Sequence, residues 1–200
     1  MSLLTTPDDI IAAMERWSEE FIEQPHPVVG DLPLCPFAKA ARLKRTIRFV
    51  VRPFDAADPL EPDGPILTFV RELPQQPELE TLFVVHPDPT RMGTRPLEAF
   101  VARLNARMAA DPSMSTLQAF EAHPLSEFCV GGVYTRRSPF PSFQVLSRAL
   151  LKTASDSLLG SRYYDRFTPA MLKMVGMPRD ESQAERLDDL DSRKRVVVTG

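Results

Sequence analysis

Cysteine is scarce in this chain: two residues in 200, Cys35 and Cys129, far apart and in no C-x-x-C pair. A four-cysteine zinc centre is thereby excluded. The opening MSLLTTPDD has no cationic segment followed by an apolar stretch, so no export signal is read. The expectation is a cytoplasmic protein whose two cysteines are free thiols. No apolar run approaches the roughly 20 residues that span a bilayer, and no membrane partner is expected. Net charge is −3 and no basic stripe interleaves with aromatics, which argues against nucleic acid as a partner. Neither G-x-G-x-x-G nor a P-loop occurs, so no nucleotide, nicotinamide or flavin site is identified and the cofactor stays unknown. There is no internal repeat and no low-complexity tract.

What is present is ordinary globular material with many prolines. Hydrophobic residues make up 43% and charged residues 26%, enough to bury one core. Twenty prolines punctuate the chain. A helix is predicted over 5–24, with Thr6 as cap, Pro7 in the first turn, Asp8 and Asp9 at the positive dipole end, and Ile10, Met14, Trp17 and Phe21 on one face. A loop leads to Cys35, and a short helix is predicted over 36–45 with Cys35 as its cap. TIRFVVR (46–52) reads as the first strand and ETLFVV (80–85), stopped by His86-Pro87, as the second. Between them Asp63-Gly64-Pro65 opens a helix carrying Ile66, Leu67, Phe69 and Val70. Thr94-Arg95-Pro96 opens another carrying Leu97, Phe100, Val101 and Leu104. STLQAFEA (115–122), stopped by His123-Pro124, reads as a third strand. Arg137-Ser138-Pro139 is read as introducing a helix through about Lys152, and RVVVT near the end as a small fourth strand.

Strands each followed by a helix suggest an α/β fold: a small, mostly parallel three- to four-stranded sheet flanked by helices. One domain over 1–177 is expected, followed by a charged C-terminal tail over 178–200. Ligands gather outside the carboxyl ends of strands in such sheets, where Arg52, His86 and His123 would sit. The helix N-termini at Cys35 and Ser138 are expected at the same end, offering unpaired N–H groups to an anion. Arg136 and Arg137 could fork onto a carboxylate or phosphate. Cys35 has a thiolate-favouring position if it caps a helix, against the bland reading of a small buried hydrophobe. His123 and His86 could be bases or metal ligands, or strand-end histidines bonded to backbone. Cys129 is read as packing, His26 as a surface residue, and Ser138 as a helix cap rather than a nucleophile.

At LCPFAK (34–39), His123-Pro124 and RSPFP (137–141), the chain resembles a bacterial family catalogued as domain of unknown function 1415. The order of elements over about 14–159 is similar, with a tryptophan in the N-terminal helix. The stretch between His123 and Arg137 is shorter than that pattern, which marks a divergent member. The resemblance implies that Cys35, Pro36, Phe37, Lys39, His123, Pro124, Arg137, Ser138 and Pro139 hold the family's motif positions. It implies no reaction, since the family has no assigned function.

Three functions compete on these residues. The first is a small-molecule enzyme with Cys35 as nucleophile or redox thiol and His123 as base, an anionic substrate being held by Arg137, Ser138, Arg136, Lys39 and Arg52, with His86 as a possible addition. The second is a non-catalytic binder of an anionic metabolite or peptide carboxylate using the same donors. The third is a metal or haem site on Cys35, His86 and His123, for which no ligand spacing speaks. The oligomeric state is not legible.

Overall fold

The computed structural model of the protein describes residues 6–174. The chain divides into two compact units after Arg166. In the first, α1 (Pro7–Trp17) begins as its sequence dictates: Thr6 Oγ1 accepts the N–H of Asp9 at 3.2 Å, and Pro7 occupies the first turn. Ile10 and Met14 are buried one helical turn apart. A π turn, Ser18–Ile22, carries the helix to the end of the expected span. The loop that follows holds a minimal antiparallel ribbon, β1 (Pro25–His26) with β2 (Leu32–Pro33). Next comes α2 (Ala38–Lys44), shorter than expected and capped by Phe37 rather than Cys35. The Cys35 carbonyl instead accepts the Ala38 N–H at 3.2 Å, closing a turn through Pro36 and Phe37 before the helix starts.

The three expected strands are present as β3 (Ile47–Val51), β4 (Thr81–Val85) and β5 (Leu117–Ala122), with α3 (Pro65–Glu72) between β3 and β4 and α4 (Thr94–Ala110) between β4 and β5. The sheet they form is not mostly parallel. Its order is β3-β4-β6-β5, with β3 and β4 the single parallel pair. The segment read as a helix from Ser138 is a loop and then a strand, β6 (Ser142–Ser147), antiparallel to both neighbours. Only Arg148–Ser157 of that stretch is helical (α5), capped by Ser147 Oγ on the Leu150 N–H at 3.0 Å.

The reason lies in period. Phe143 and Val145 alternate with Ser142, Gln144 and Leu146, and both are fully buried on one face. RVVVT, read as the fourth strand, and the 178–200 tail lie outside the described residues. Of the second unit the described part carries a short helix, α6 (Pro169–Met174).

Cross-strand register sorts the sheet into two faces. Leu82, Val84, Ala119, Phe143 and Val145 meet α3 and α4 in the larger core, together with Leu67, Leu97, Phe100 and Leu104. Phe49, Val51, Phe83 and Val85 meet Ile10, Met14 and Trp17 of α1 on the other face. Strands covered on both sides read as near-continuous apolar runs, which is why FVV and LFVV stood out in sequence. Among the described residues no helix is long and apolar enough to cross a membrane.

Phe143 and its neighbour Ser142 should respond oppositely to truncation. Phe143 packs edge-on to Phe54 at 5.3 Å between ring centroids, so Phe143→Ala should cost about 3–5 kcal/mol. The buried Ser142 hydroxyl has no hydrogen-bond partner among the described residues, so Ser142→Ala should change stability by less than about 1 kcal/mol or raise it. Urea unfolding of the two variants checks both.

Candidate functional site

Because β6 is antiparallel to both β4 and β5, those two strands run the same way, as β3 does. Arg52, His86 and His123 therefore stand at one end of the sheet, as the strand reading expected. What the histidines do there follows from the residue after each. All three histidines of the chain precede proline, and in all three the ring Nδ1 accepts the N–H of residue i+2. The bonds are His26 with Val28 (3.1 Å), His86 with Asp88 (3.0 Å) and His123 with Leu125 (2.9 Å). Proline has no N–H and a fixed φ, so the next free N–H turns back onto the side chain, as in an Asx turn.

His123 is committed at both nitrogens. Nε2 donates to the Met92 carbonyl at 2.7 Å, and the ring is only 2% exposed. These partners require the Nε2–H tautomer and leave no free nitrogen to take a substrate's proton. The ring pins the loop before α4 to the loop after β5. His86, also buried, packs edge-on to Phe54 at 5.5 Å.

The polar residues of the RSPFP stretch divide into used and open groups. Arg136 pairs with Glu121 and lies over the Phe128 ring at 4.0 Å, so its charge is compensated. Ser138 is buried and donates to the Phe140 carbonyl at 2.6 Å, a turn bond and not a helix cap. Arg137 differs. Its Nε donates to the Ser126 carbonyl at 3.1 Å and its guanidinium lies 3.6 Å from the Tyr134 ring centroid. Among the described residues no carboxylate lies within ion-pair distance of it. Ser126 is itself fixed, its N–H donating to the His123 carbonyl at 2.9 Å. The His123-Pro124 and RSPFP motifs are thus one device: the turn holds a carbonyl that orients a guanidinium with its two terminal amines open. Arg52 rests at 5.7 Å over Phe69 and donates to Pro53 O at 3.4 Å.

Cys35 belongs to a different cluster. Its N–H donates to the Ile22 carbonyl at 3.0 Å, and the Tyr163 hydroxyl donates to the carbonyl of Leu34 beside it. Glu23, buried, is gripped by Arg42 through Nε (2.8 Å) and a terminal amine (2.9 Å), and by the Ser18 hydroxyl at 2.9 Å. Those bonds, the Arg42 grip first, hold the Glu23 carboxyl below its ordinary acidity range, and exposed Lys39 adds to the effect. Burial pushes the Cys35 thiol up, against the pull of the Phe37 and Ala38 N–H groups, and the Glu23 charge pushes it further. Burial also raises the phenols of Tyr163 and Tyr164, each within electrostatic reach of Cys35. Glu23, Cys35, Arg42, Tyr163 and Tyr164 account for five of the seven clearly displaced acidities among the described residues. Such clustering is a mark of functional sites as well as of structural ion-pair networks.

The two tyrosines lie on a strap, 160–166, that docks closely on the loop before Cys35. Gly30, at φ +72°, has no room for a side chain: a Cβ there would lie 2.5 Å from Arg162 Cβ. Gly131, at φ +54°, is similarly crowded by Val28 and Arg166.

The structure gives the expected site residues two sets of partners. His123, Arg137, Arg136, Ser138, His86 and Arg52 belong to the carboxyl end of the sheet, Cys35 and Lys39 to the thiol cluster, and none of the interactions of Cys35 is with His123. Sequence reading missed Glu23, Arg42, Tyr134, Tyr163 and Tyr164. One signal was available: the chain has three tyrosines, and all three stand at these two places. Both cysteines are free thiols. Among the described residues no three His, Cys, Asp or Glu side chains gather to hold a metal, so Cys35, His86 and His123 do not form a ligand set.

The fold and its two polar clusters define an α/β protein with a four-stranded mixed sheet, a guanidinium set on a His-Pro turn and a thiol under a tyrosine strap. The family signature described as Protein of unknown function (DUF1415) matches residues 9–164, and the chain belongs to that family. The match spans both clusters, from α1 to Tyr164 of the strap. No curated protein and no solved structure matches the chain.

Four outcomes follow from this geometry. His123→Ala, which strands the Leu125 N–H and the Met92 carbonyl, should cost about 3 kcal/mol. His123→Asn, which can still accept at the Nδ1 position, should recover part of that loss in urea unfolding. At neutral pH Cys35 should alkylate more slowly than in the unfolded chain, its rate climbing only as pH rises through the raised thiol value. Gly30→Ala, by displacing Arg162, should speed Cys35 labelling and leave Cys129 unchanged, as read by mass spectrometry.

Proposed function

We propose that the protein binds a small anionic molecule or a peptide carboxylate at Arg137, as a binder that does not use His123 as a base. The observation that carries this reading is the state of Arg137. Its guanidinium is held at Nε and on one face, has no acidic partner among the described residues, and leaves two parallel donors for a carboxylate or phosphate. Holding the donor in place beforehand reduces the ordering cost of binding. The enzyme reading with Cys35 as nucleophile and His123 as base has less support. The thiol's acidity is displaced toward the protonated form, and both nitrogens of His123 are occupied.

Arg137→Gln should weaken binding of inorganic phosphate or small carboxylates about tenfold, about 1.4 kcal/mol, while Cys35→Ser leaves it unchanged. Isothermal titration calorimetry on the folded variants reads both. Loss with Cys35→Ser and none with Arg137→Gln would overturn the proposal in favour of the thiol cluster.

A further inference from the structure

We infer that the surface around Arg137 takes the carboxyl terminus of a peptide whose last residue is apolar, an inference that rests on the anion-binding reading above. Leu125 is the observation that extends that reading. Leu125 is 69% exposed, yet its backbone is hydrogen-bonded at both N–H and carbonyl. The Leu125 N–H is bonded to the buried His123 ring at 2.9 Å, and its carbonyl accepts from Thr94 Oγ1 at 3.3 Å. An exposed leucine on a loose loop would call for no explanation. Here hydrogen bonds at both its N–H and its carbonyl fix the backbone that carries an apolar side chain in water.

The next residue, Ser126, is 2% exposed, and its carbonyl is the acceptor that orients Arg137. The apolar side chain and the cation thus spring from adjacent anchor points. Tyr134, 41% exposed, stacks on the guanidinium and adds a second apolar surface. Arginine, tyrosine and a fixed apolar group are the composition of binding hot spots.

The ligand chemistry follows. Two open amines in a fixed fork match a carboxylate, and Glu127, the exposed acid of the same loop, makes no ion pair with Arg137. A peptide terminus carries its carboxylate and its last side chain on one Cα, so it can engage the fork and Leu125 together. Sites for small molecules are concave and bury most of the ligand. Leu125 and Tyr134 are exposed instead, which suits a chain laid across them.

The test uses the whole protein and a fluorescent pool of hexapeptides with randomised upstream positions, ending in leucine as the free acid. The same pool as the C-terminal amide, a pool ending in serine, and inorganic phosphate complete the set. Fluorescence anisotropy should show the leucine acid pool binding at least about tenfold more tightly than the amide or serine pools. Arg137→Gln and Leu125→Ser should each remove that preference, with circular dichroism confirming the fold. If phosphate and all acid pools bind alike through Arg137, with no gain from leucine, the peptide inference is overturned and the anion-binding reading stands. If no probe binds, or binding ignores Arg137, both fall.

Discussion

β6 lies between β4 and β5 and bonds to both along its whole length, and the arrangement of the rest follows from that insertion. An antiparallel strand between two others forces those two to run in one direction. The chain leaves β4 and β5 at the same end, and the loops carrying His86 and His123 are gathered there beside the residues that lead into β6. The Pro141 carbonyl accepts the His86 N–H at 2.9 Å and the Arg136 carbonyl accepts the His123 N–H at 3.0 Å, so these loops continue the strand ladder past its regular end. The apolar cost of placing a strand centrally is met by Phe143 and Val145, both fully buried.

Polar satisfaction then shapes the loops. A buried N–H or carbonyl left unpaired costs roughly 1–3 kcal/mol, and loops rich in proline have fewer backbone donors to arrange. Histidine before proline solves this locally by lending Nδ1 to the first available N–H. At His123 the second nitrogen reaches Met92 as well, so one side chain ties two loops together. A residue type that usually suggests catalysis is committed here to geometry, and the turn it forms holds the Ser126 carbonyl that orients Arg137.

The thiol cluster obeys a different constraint. Glu23 and Arg42 are fixed by two-pronged bonding, which offsets the desolvation of a carboxylate only 3% exposed in its side chain. Burial first, and that negative charge after it, push the neighbouring Cys35 thiol up, although two N–H groups face its sulfur. A cysteine near a helix start is therefore not reactive by position alone. The field of its neighbours decides, and here the first of them comes from the π turn that ends α1 and others from the strap beyond α5.

Local pattern was enough for much of this molecule. The capped start of α1, the apolar runs of β3 and β4, the proline-opened helices α3 and α4 and the end of β5 at His123-Pro124 are all written in neighbouring residues, because caps, turns and periodicity act over a few positions. Membership of the family was legible too, from LCPFAK, His123-Pro124 and RSPFP. Pairings between distant segments were not. β6 looked helical because a proline after serine imitates a helix start, and only its register between two strands makes a period of two the stable choice. Cys35 and His123 looked like partners because sequence gives residue type without distance. The fold assigns the thiol to Glu23, Tyr163 and Tyr164, and the imidazole to Met92 and Leu125, since acidity and tautomer are set by whatever lies within a few ångströms, which no spacing along the chain records.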